Sequence, residues 1–558
     1  MSDLLNKASL VMVPSGYKED TVYSVVPSDG SGDLSFTRAS NGTRINSAGL
    51  VEVCPWNLNT NSEDFATGWS GANRALTADA TTAPNGTTTA DQLGATGGTA
   101  YYAKYITSPV GAHTFSVFLK YGNRQYQQIY GYSGTAYFAE ATFDLQNGTV
   151  YSIQHGNASI ENVGGGWYRC SIYGTTTGVT IEMGIENIAV STYTYAWGAQ
   201  LNIGSTAKPY FPTTDRLNVP RLTYQNGGGG CPSLLLEKQS TNYITYSEQF
   251  DNAAWVKNGI SLSANQIISP DGTQNADKLT TNDPSGSVYR IYETNSIGSN
   301  NVCSVSCYFK YENWQYAYIV AANYSGVGKF AVFDVINGIN TFVSTGYTAT
   351  IESIGNDWYK CCLIGEMGST SYTQFGIAPT STAYNNISIA NGKNLYLWGT
   401  QREISSYPTS YIPTTSASAT RVADLATVNL PNTNMTFTAY LELDEASLGT
   451  PAGDWFGIFS NVSTLGRAYG YANQFGFADA YSLGVASGTK MVWKQESGST
   501  AKIFKGGALV GTSTTGTYTD PFNRLRMDGA LLDKPVKIKQ FVYFDNALTD
   551  AECIQLTA

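Results

Sequence analysis

Two histidines, His113 and His155, are the only imidazoles in the sequence. A Ser-His-Asp or Cys-His site would have to use one of them, because an adjacent imidazole activates the nucleophile in such sites. His113 is expected near the start of a strand, and His155 lies in the turn-like sequence Gln-His-Gly-Asn. Neither stands beside a recognisable nucleophile motif. Surface or packing roles are therefore favoured for both, and no catalytic residue is predicted.

Cysteine and glycine spacing gives little support for metal or phosphate chemistry. Cys303 and Cys307 would share one face of a strand, but no partner histidines accompany them as a zinc site requires. The sequence Gly-Val-Gly-Lys-Phe at 326–330 lacks the glycine spacing and the Ser/Thr of a phosphate-binding loop. Cys170 and Cys361 lie in matching strand-like sequences beside apolar residues. We expect free, buried thiols rather than disulfides or metal ligands.

Acidic residues recur at matching positions in two repeated halves of the chain. Glycoside hydrolysis needs two carboxyls about 5 to 9 Å apart. The recurring acids instead stand beside predicted turns and strand ends, where a carboxylate accepts hydrogen bonds from backbone N–H groups. A structural role is therefore predicted for the pairs Glu63/Glu248, Asp91/Asp277, Asp144/Asp334 and Glu161/Glu352. No cofactor is expected, although a structural Ca²⁺ is an open alternative, because sandwich lectins often hold it in Asp/Asn-rich loops.

Aromatic residues are the best candidates for a binding site, because sugar recognition needs exposed rings together with amides and hydroxyls. Tryptophans that recur in both halves are expected in the core, given how much area aromatic rings bury. Rings that alternate along single strands would line one face, and two alternatives stay open for that face: buried core and a ligand-binding groove. The predicted ligand-binding residues are Tyr126, Tyr130, Tyr132, Trp314, Tyr316, Tyr318, Tyr469, Tyr471 and Trp493.

An internal repeat organises the chain. Pro-Asn-Gly-Thr at 84–87 corresponds to Pro-Asp-Gly-Thr at 270–273, and Trp-Gly-Ala-Gln at 197–200 corresponds to Trp-Gly-Thr-Gln at 398–401. A period this long indicates duplicated domains rather than a solenoid. In both copies an Asn-Gly pair, beginning at Asn147 or Asn337, follows a strand pattern. Each pair predicts a hairpin with a type I′ turn.

Composition indicates an all-β protein. Tyr (39 residues) outnumbers Lys plus Arg (32), Gly reaches 57, and charged residues make up 13% of the chain. The sequence therefore predicts tandem jelly-roll or concanavalin-like β-sandwiches joined by extended linkers. The net charge of −10 opposes nucleic-acid binding, and the longest apolar runs fall short of the roughly 20 residues of a membrane helix. The opening sequence is a poor secretory signal, so we expect synthesis in the cytoplasm without cleavage.

The domain boundaries follow from the repeat. Residues 1–55 are interpreted as an extended attachment or oligomerisation segment and 216–241 as a linker, with related Arg-containing strings at Arg44, Arg221 and Arg421. The three predicted sandwiches span 56–215, 242–415 and 416–558. The last one ends in strand–Gly-Gly–strand, a final strand, and a Thr-Asp-Ala-Glu capping box at 549–552.

Particular strings resemble known families. TRINSAGLVEV (43–53), CPSLLLEKQSTNYITYSEQFDNAAWVKNG (231–259) and SPDGTQNADKL (269–279) are similar to carbohydrate-binding-type sandwich modules of bacteriophage fibre and other virion proteins, including those of crAss-like phages. KIFKGGALVG (502–511) and KIKQFVYFDNALTDAECIQL (537–556) resemble a concanavalin A/laminin-G-like sandwich, with Gly506 in place of the usual Asn. The resemblance implies an oligomeric virion component, a homotrimer by analogy with phage fibres.

These observations predict a phage virion fibre or decoration protein, made in the host cytoplasm, that adheres to host or environmental surface polysaccharide. Its other partners would be virion proteins of the capsid or tail, with no nucleic acid and no membrane insertion. Two alternatives stay open. One is a purely structural capsid or tail component that contacts only virion proteins, and the other is a polysaccharide depolymerase.

Overall fold

The abundance of Thr, Tyr and other strand-favouring residues is realised in antiparallel sheets, because such side chains fit a pleated, half-buried surface. In the computed structural model, regular structure is almost entirely β, and the predicted all-β class with tandem β-sandwiches is confirmed. The structure describes the whole chain except residues 1, 109, 287, 297–300, 324–328, 368–369, 432–434, 445–454, 460–465, 472–473, 478–484, 487–488, 498, 515–520 and 533.

Two compact units divide the chain. One comprises Met1–Cys54, Leu217–Asp271 and Asn275–Ala558, and the other comprises Pro55–Arg216 and Gly272–Gln274. The chain opens with short elements: α1 (Ser2–Leu5), β1 (Leu10–Met12), β2 (Tyr17–Lys18), β3 (Thr21–Val22), β4 (Leu34–Thr37), β5 (Gly42–Ile45) and β6 (Val51–Cys54).

The first module follows and lies within the second of these units. Its strands are β7 (Arg74–Thr81), β8 (Ala90–Ala95), β9 (Ala100–Thr107), β10 (Ala112–Tyr121), β11 (Tyr126–Ser133), β12 (Ala136–Asp144), β13 (Thr149–His155), β14 (Asn157–Gly164), β15 (Trp167–Thr175), β16 (Thr180–Ile188) and β17 (Tyr193–Ile203). In the described chain one sheet has the order β14-β15-β10-β17-β8-β7 and the other the order β13-β12-β11-β16-β9. Alternate residues of both sheets, such as Val117, Ile129, Cys170 and Ile185, form the core between them.

The second module repeats this topology. It is preceded by β18 (Leu222–Thr223), β19 (Ser233–Leu236) and β20 (Ser240–Asn242), and consists of β21 (Val256–Asn258), β22 (Ile260–Ile267), β23 (Ala276–Thr281), β24 (Arg290–Ser296), β25 (Asn301–Tyr311), β26 (Tyr316–Asn323), β27 (Lys329–Asp334), β28 (Ile339–Val343), β29 (Thr348–Gly355), β30 (Trp358–Met367), β31 (Thr370–Ile377) and β32 (Asn394–Glu403). Its sheets have the orders β22-β23-β32-β25-β30-β29 and β21-β24-β31-β26-β27-β28. Apart from β21, each strand matches one of the first module in position.

The C-terminal sandwich contains β33 (Ala419–Arg421), β34 (Leu425–Asn429), β35 (Phe437–Leu443), β36 (Phe456–Phe459), β37 (Gly466–Tyr471), β38 (Gln474–Phe477), β39 (Val485–Ala486), β40 (Lys490–Gln495), β41 (Ala501–Lys505), β42 (Ala508–Ser513), β43 (Arg524–Asp528), a 3-10 turn (Gly529–Leu531), β44 (Val536–Phe544) and α2 (Asp550–Thr557). The predicted Gly-Gly hairpin joins β41 to β42, with positive φ at both glycines. The predicted capping box is also confirmed, since Thr549 and Glu552 bond each other's backbone N–H groups.

Strands from the N-terminal segment complete this sandwich. Its sheets have the orders β18-β19-β44-β35-β40-β41-β42, with β1 also paired to β44, and β2-β3-β4-β34-β43-β36-β37-β38-β39. The segment 1–55 and the linker 216–241 therefore contribute strands to the sheets of the C-terminal sandwich, and they are not only extended connections. The attachment or oligomerisation role of residues 1–55 stays a prediction.

The Asn-Gly hairpins form as predicted, but the predicted type I′ turn is wrong. Gly148 and Gly338 have positive φ, whereas Asn147 and Asn337 do not. The carboxylate of Asp144 accounts for the difference, because it accepts hydrogen bonds from the backbone N–H groups of Gln146 and Asn147 at 3.0 Å and from the Asn147 side chain at 2.8 Å. Asp334 makes the same three contacts in the second module. The recurring Asp is thus part of the turn, as the sequence predicted.

A buried cluster of charges joins the N-terminal segment, the linker and the C-terminal sandwich. Asp424 accepts from Arg38 at 3.0 Å and from Arg221 at 2.5 Å, and Glu237 pairs with Arg221 at 2.6 Å and Arg421 at 3.2 Å. All five residues are between 0 and 1% exposed. Burial alone would raise the pKa of Glu237, but the Arg421 and Arg221 guanidiniums hold that pKa well below its ordinary value. Two of the three related Arg strings therefore meet in this charge cluster.

Replacing Asp424 with Ala is expected to lower the free energy of unfolding by about 3–5 kcal/mol, because it leaves the buried Arg38 guanidinium without its carboxylate partner and removes one of the two carboxylates that pair with Arg221. Urea unfolding followed by tryptophan fluorescence measures the loss. Lys539→Ala is the control, since it breaks a pair with Asp444 in which the lysine is 42% exposed, and it should cost less than about 1 kcal/mol. Equal losses in the two variants would contradict the assignment.

Candidate functional site

Residues that recur in both modules build the framework rather than a site. Gly198 and Gly399 have φ of 61° and 59° at matching irregularities in the β10–β17 and β25–β32 pairings, which accounts for the recurring Trp-Gly motif. The Tyr210 hydroxyl contacts Ser62 at 2.8 Å and Glu63 at 3.2 Å. Tyr411 makes the equivalent contacts with Ser247 and Glu248. The six recurring tryptophans are buried, as predicted: Trp69, Trp167, Trp197, Trp255, Trp358 and Trp398.

The two histidines have the predicted packing and surface positions. His113 is buried, with Nε2 2.8 Å from Ser108 Oγ and Nδ1 3.0 Å from the Gly111 carbonyl. Burial lowers the pKa of His113. A backbone carbonyl rather than a carboxylate orients this imidazole, and Ser108 is itself buried. The Ser108–His113 pair is therefore packed inside the first module, whereas the His155 side chain is 52% exposed.

An open face of the first module brings tyrosines and carboxylates together. Ile129 on β11 and Ile185 on β16 point into the core. The residues that alternate with them along each strand therefore point outward from the β13-β12-β11-β16-β9 sheet. Register pairing places Tyr130 beside Glu140, Tyr132 beside Glu182 and Gln128 beside Glu186. We call this surface the acidic face; its residues are Tyr105, Tyr126, Gln128, Tyr130, Tyr132, Tyr137, Glu140, Tyr151, His155, Glu182 and Glu186.

Hydrogen bonds fix the carboxylates of the acidic face. The Tyr130 hydroxyl donates to Glu182 Oε1 at 2.6 Å, and Glu140 accepts from Gln128 at 2.5 Å. His155 Nδ1 lies 2.8 Å from Glu140 Oε2, and the Tyr137 ring stacks on the His155 ring at 5.5 Å. The face is thus a set of positioned acceptors among aromatic rings.

Glu186 is the most perturbed acid of the acidic face. Burial, with the negative charges of Glu140 and Glu182, raises its pKa from its ordinary value to about 7. Burial and the three surrounding carboxylates also raise the pKa of Tyr137. Three acids on one sheet face therefore act on each other electrostatically.

The equivalent face of the second module is aromatic and carries an arginine. Tyr318 is fully buried within a cluster with Tyr316, Phe330 and Tyr384. The Arg290 guanidinium lies over the Tyr292 ring at 4.7 Å and 5.9 Å from the Tyr372 ring centre. We call this surface the arginine face; its residues are Arg290, Tyr292, Tyr316, Tyr318, Val320, Phe330, Phe342, Tyr372, Gln374 and Tyr384.

The predicted binding residues divide into three groups. On the acidic face, Tyr126 is 40% exposed and pairs with Tyr151 at 4.5 Å, Tyr132 is half-buried, and Tyr130 is buried beneath its neighbours. On the arginine face, Tyr316 is half-buried above Tyr318. These rings lie on the faces that the alternation of the sequence predicted. Tyr130 and Tyr318 are buried, so they support the exposed residues and are not themselves part of the accessible surface.

Two further candidates, Trp314 and Trp493, do not reach such a face. Trp314 was predicted to share a face with Tyr316, but it precedes β26 and packs against the inner core, with Nε1 donating to the Ala378 carbonyl at 2.8 Å. The prediction failed because strict alternation does not extend beyond the strand end. Trp493 is fully buried in the core of the C-terminal sandwich. The side chains of Tyr469 and Tyr471 lie outside the described residues.

Sequence reasoning missed the polar members of both faces. Glu182, Gly184 and Glu186 alternate with Ile181, Met183 and Ile185 along β16, a pattern that assigns the acids to the outward face. Arg290 had a weaker signal, because only one of the two rings near its guanidinium, Tyr292, is on its own strand, and the other, Tyr372, is on β31. The internal repeat does not point to these positions, since the residues of the two faces differ.

Within the described chain, no group of three or more His, Cys, Asp or Glu is arranged to hold a metal ion, so calcium stays a prediction. All eight cysteines are free; seven are buried, and Cys231 is exposed, unlike the predicted buried set. No described helix has the length and apolar character needed to cross a membrane.

Comparison with protein-family models and with curated proteins finds no match. Among solved structures, the chain aligns with the N-terminal CBM22-1–CBM22-2 tandem domain of Xyn10C from Paenibacillus barcinonensis. The identity is 11%, the alignment covers 62% of this chain and 95% of that one, and the TM-score is 0.21. A TM-score this low carries no inference about ligand or activity.

The raised pKa of Glu186 predicts a pH-dependent loss of stability. Its pKa of about 7 in the folded chain exceeds the roughly 4.3 of a free glutamate, so ionisation between about pH 5 and 8 disfavours the folded state. Glu186→Gln removes this cost. We therefore expect the unfolding temperature of the variant to rise relative to the wild type as pH increases through this window.

Calorimetry at several pH values measures that difference. In a Glu140→Gln background the pH-dependent part should shrink, because one of the charges that raises the pKa of Glu186 is gone. A difference that stays constant from pH 5 to 8 would contradict the coupling of the three acids.

Proposed function

We propose that this chain is a glycan-binding adhesion protein whose sites lie on the outward sheet faces of its two homologous modules. The observation that carries the proposal is the acidic face, where exposed tyrosine rings and fixed acceptor groups share one rigid sheet. Tyr105 is 59% exposed, Tyr151 63% and Tyr137 39%. Monomeric proteins expose few contiguous aromatic surfaces, so such a patch on a sheet favours a binding role.

The chemistry of the face suits a saccharide. Tyrosine rings offer flat apolar surfaces for the C–H faces of a pyranose, with little conformational entropy to lose. Carboxylates and amides such as Glu182, Glu140 and Gln128 accept or donate hydrogen bonds to hydroxyls, and charged acceptors make these bonds stronger. Sheet residues hold this arrangement more firmly than loops would.

The biological setting that we propose is a phage virion. The strings at 43–53, 231–259 and 269–279 support it, through their similarity to virion fibre modules. In this setting the protein is a fibre or decoration subunit, made in the host cytoplasm, that contacts capsid or tail proteins and assembles as a homotrimer. Weak binding at each face would then be strengthened by the number of copies.

Binding without cleavage is part of the proposal, and hydrolysis is the second candidate. One observation favours hydrolysis: the pKa of Glu186, raised to about 7 beside two further carboxyls, suits a general acid. Against it, the acidic face is an open sheet surface rather than a water-excluding cleft. A purely structural subunit would show neither binding nor cleavage.

Full-length protein on a glycan array should bind at least one surface polysaccharide. Tyr105→Ala and Tyr151→Ala should each weaken that binding about 2- to 10-fold, the effect of losing one stacked ring. Tyr121→Ala is the matched control, because Tyr121 is 37% exposed on the other sheet of the same module. Silence across the array, or equal effects of all three variants, would refute the proposal.

Incubating the full-length protein with each bound polysaccharide should release no new reducing ends. The readout is a reducing-sugar assay over hours, with Glu186→Gln alongside the wild type. Release of reducing ends by the wild type, with its loss in a Glu186→Gln protein that still binds, would establish a depolymerase instead.

A further inference from the structure

The two outward faces can be compared position by position, because the modules share one topology. Gln125 and Gln315 anchor the comparison, since each donates to the turn aspartate of its own module, at 2.9 Å to Asp144 and at 2.8 Å to Asp334. Ile129 of β11 then corresponds to Ile319 of β26, and the registers of the neighbouring strands follow from these two.

All three carboxylates of the acidic face are replaced in the second module. Tyr130 pairs with Glu140, and the equivalent Val320 pairs with Phe330. Tyr132 pairs with Glu182, and Ala322 pairs with Tyr372. Gln128 pairs with Glu186, and Tyr318 pairs with Gly376. The equivalents of Glu140, Glu182 and Glu186 are therefore Phe330, Tyr372 and Gly376.

The third replacement changes the shape of the face as well as its charge. A Cβ atom at Gly376 would lie 2.0 Å from the Tyr289 carbonyl oxygen and 2.8 Å from the Tyr318 ring, so these two groups occupy the space that a side chain would fill. Arg290 is paired with Gly376 on the neighbouring strand, β24. The second module therefore has no negative charge at the position equivalent to Glu186, and it carries the positive charge of Arg290 on the neighbouring strand.

Arg290 has capacity to bind an anion. Its Nη1 donates to Gln374 Oε1 at 2.6 Å, while its buried Nε has no hydrogen-bond partner among the described residues. No ion pair joins it to an acidic residue in the described chain. Tyr292 and Tyr372 hold the guanidinium in place by cation–π contacts. A planar, positioned guanidinium is the group that recognises carboxylates by paired hydrogen bonds.

From this comparison we propose that the two modules prefer glycans of different charge, and that the arginine face binds an acidic saccharide through a uronic-acid carboxylate. The carboxylate would accept from Arg290, and the pyranose ring would lie on the neighbouring aromatic rings. This proposal rests on the proposed glycan-binding function and specifies the ligand of one of its two sites. The net charge of −10 repels such a ligand at long range, so recognition depends on this local cation.

The test uses the full-length chain and two acidic probes, a galacturonate tetramer and an alternating glucuronate–N-acetylglucosamine tetramer, each with its carboxyl-reduced neutral counterpart. Calorimetric titration should show tighter binding of at least one acidic probe than of its neutral partner, with the preference weakened by added salt. Arg290→Gln should reduce acidic binding about tenfold or more, so that each acidic probe no longer binds more tightly than its neutral counterpart.

Two further variants locate the effect. Tyr372→Glu places the carboxylate of the first module beside Arg290 and should also abolish the acidic preference, which provides a second test if Arg290→Gln fails to fold. Arg74→Gln is the control, because Arg74 lies over the Tyr102 ring at 5.5 Å in the first module and should not affect acidic binding. Tyr105→Ala should likewise leave it unchanged.

The outcomes separate the two proposals. If the wild type binds no saccharide, neutral or acidic, both the glycan-binding function and the acidic preference fail. If it binds saccharides but prefers neutral ones, keeps its acidic preference in Arg290→Gln, or loses as much in Arg74→Gln, only the assignment of the arginine face fails.

Discussion

Strict alternation of side chains along antiparallel strands is the constraint on which both modules depend. One set of alternate residues, such as Val117 and Ile129, must fill the space between two sheets, and this set is similar in the two modules. The other set faces outward and is free of that packing requirement. Duplication therefore preserves the inward residues and the turn aspartates, while the outward residues change from glutamates to aromatic residues and an arginine. The differences between the copies, rather than their shared residues, are where ligand specificity is expected.

Buried charge plays a different part where the N-terminal segment, the linker and the C-terminal sandwich meet. Arg38, Arg221 and Arg421 come from three separate segments, and their guanidiniums converge on only two carboxylates, Glu237 and Asp424. Burying such ions is costly unless every partner is present, so the cluster contributes more to the choice of arrangement than to net stability. It favours the meeting of these three segments, because the loss of any one carboxylate leaves a buried guanidinium with fewer counter-charges.

Local patterns in the sequence were enough to predict the fold class, the duplication, the buried tryptophans and the terminal capping box. They were less reliable where geometry depends on a side chain that bonds the backbone of a turn, on a strand end, or on a ring from another strand. The Asn-Gly turns differ from type I′ because Asp144 and Asp334 bond the turn. Trp314 leaves the predicted face because the strand begins only at Tyr316. Arg290 could not be found from its own neighbours in sequence, since the rings that hold it belong partly to another strand.

The pairing of β44 has a consequence for biosynthesis. Leu10 on β1 lies opposite Tyr543, and Leu234 on β19 lies opposite Ile538, so one strand close to the end of the chain holds together segments made at the start and in the middle. At about 5–20 residues per second a ribosome needs roughly 30–100 s to pass from one end to the other. Throughout that time β44 has not been made, so the apolar residues Leu10, Val11 and Met12 cannot pair with it. Their pairing with β44 is therefore among the last contacts of this chain to form, which prolongs the exposure of these apolar residues to aggregation.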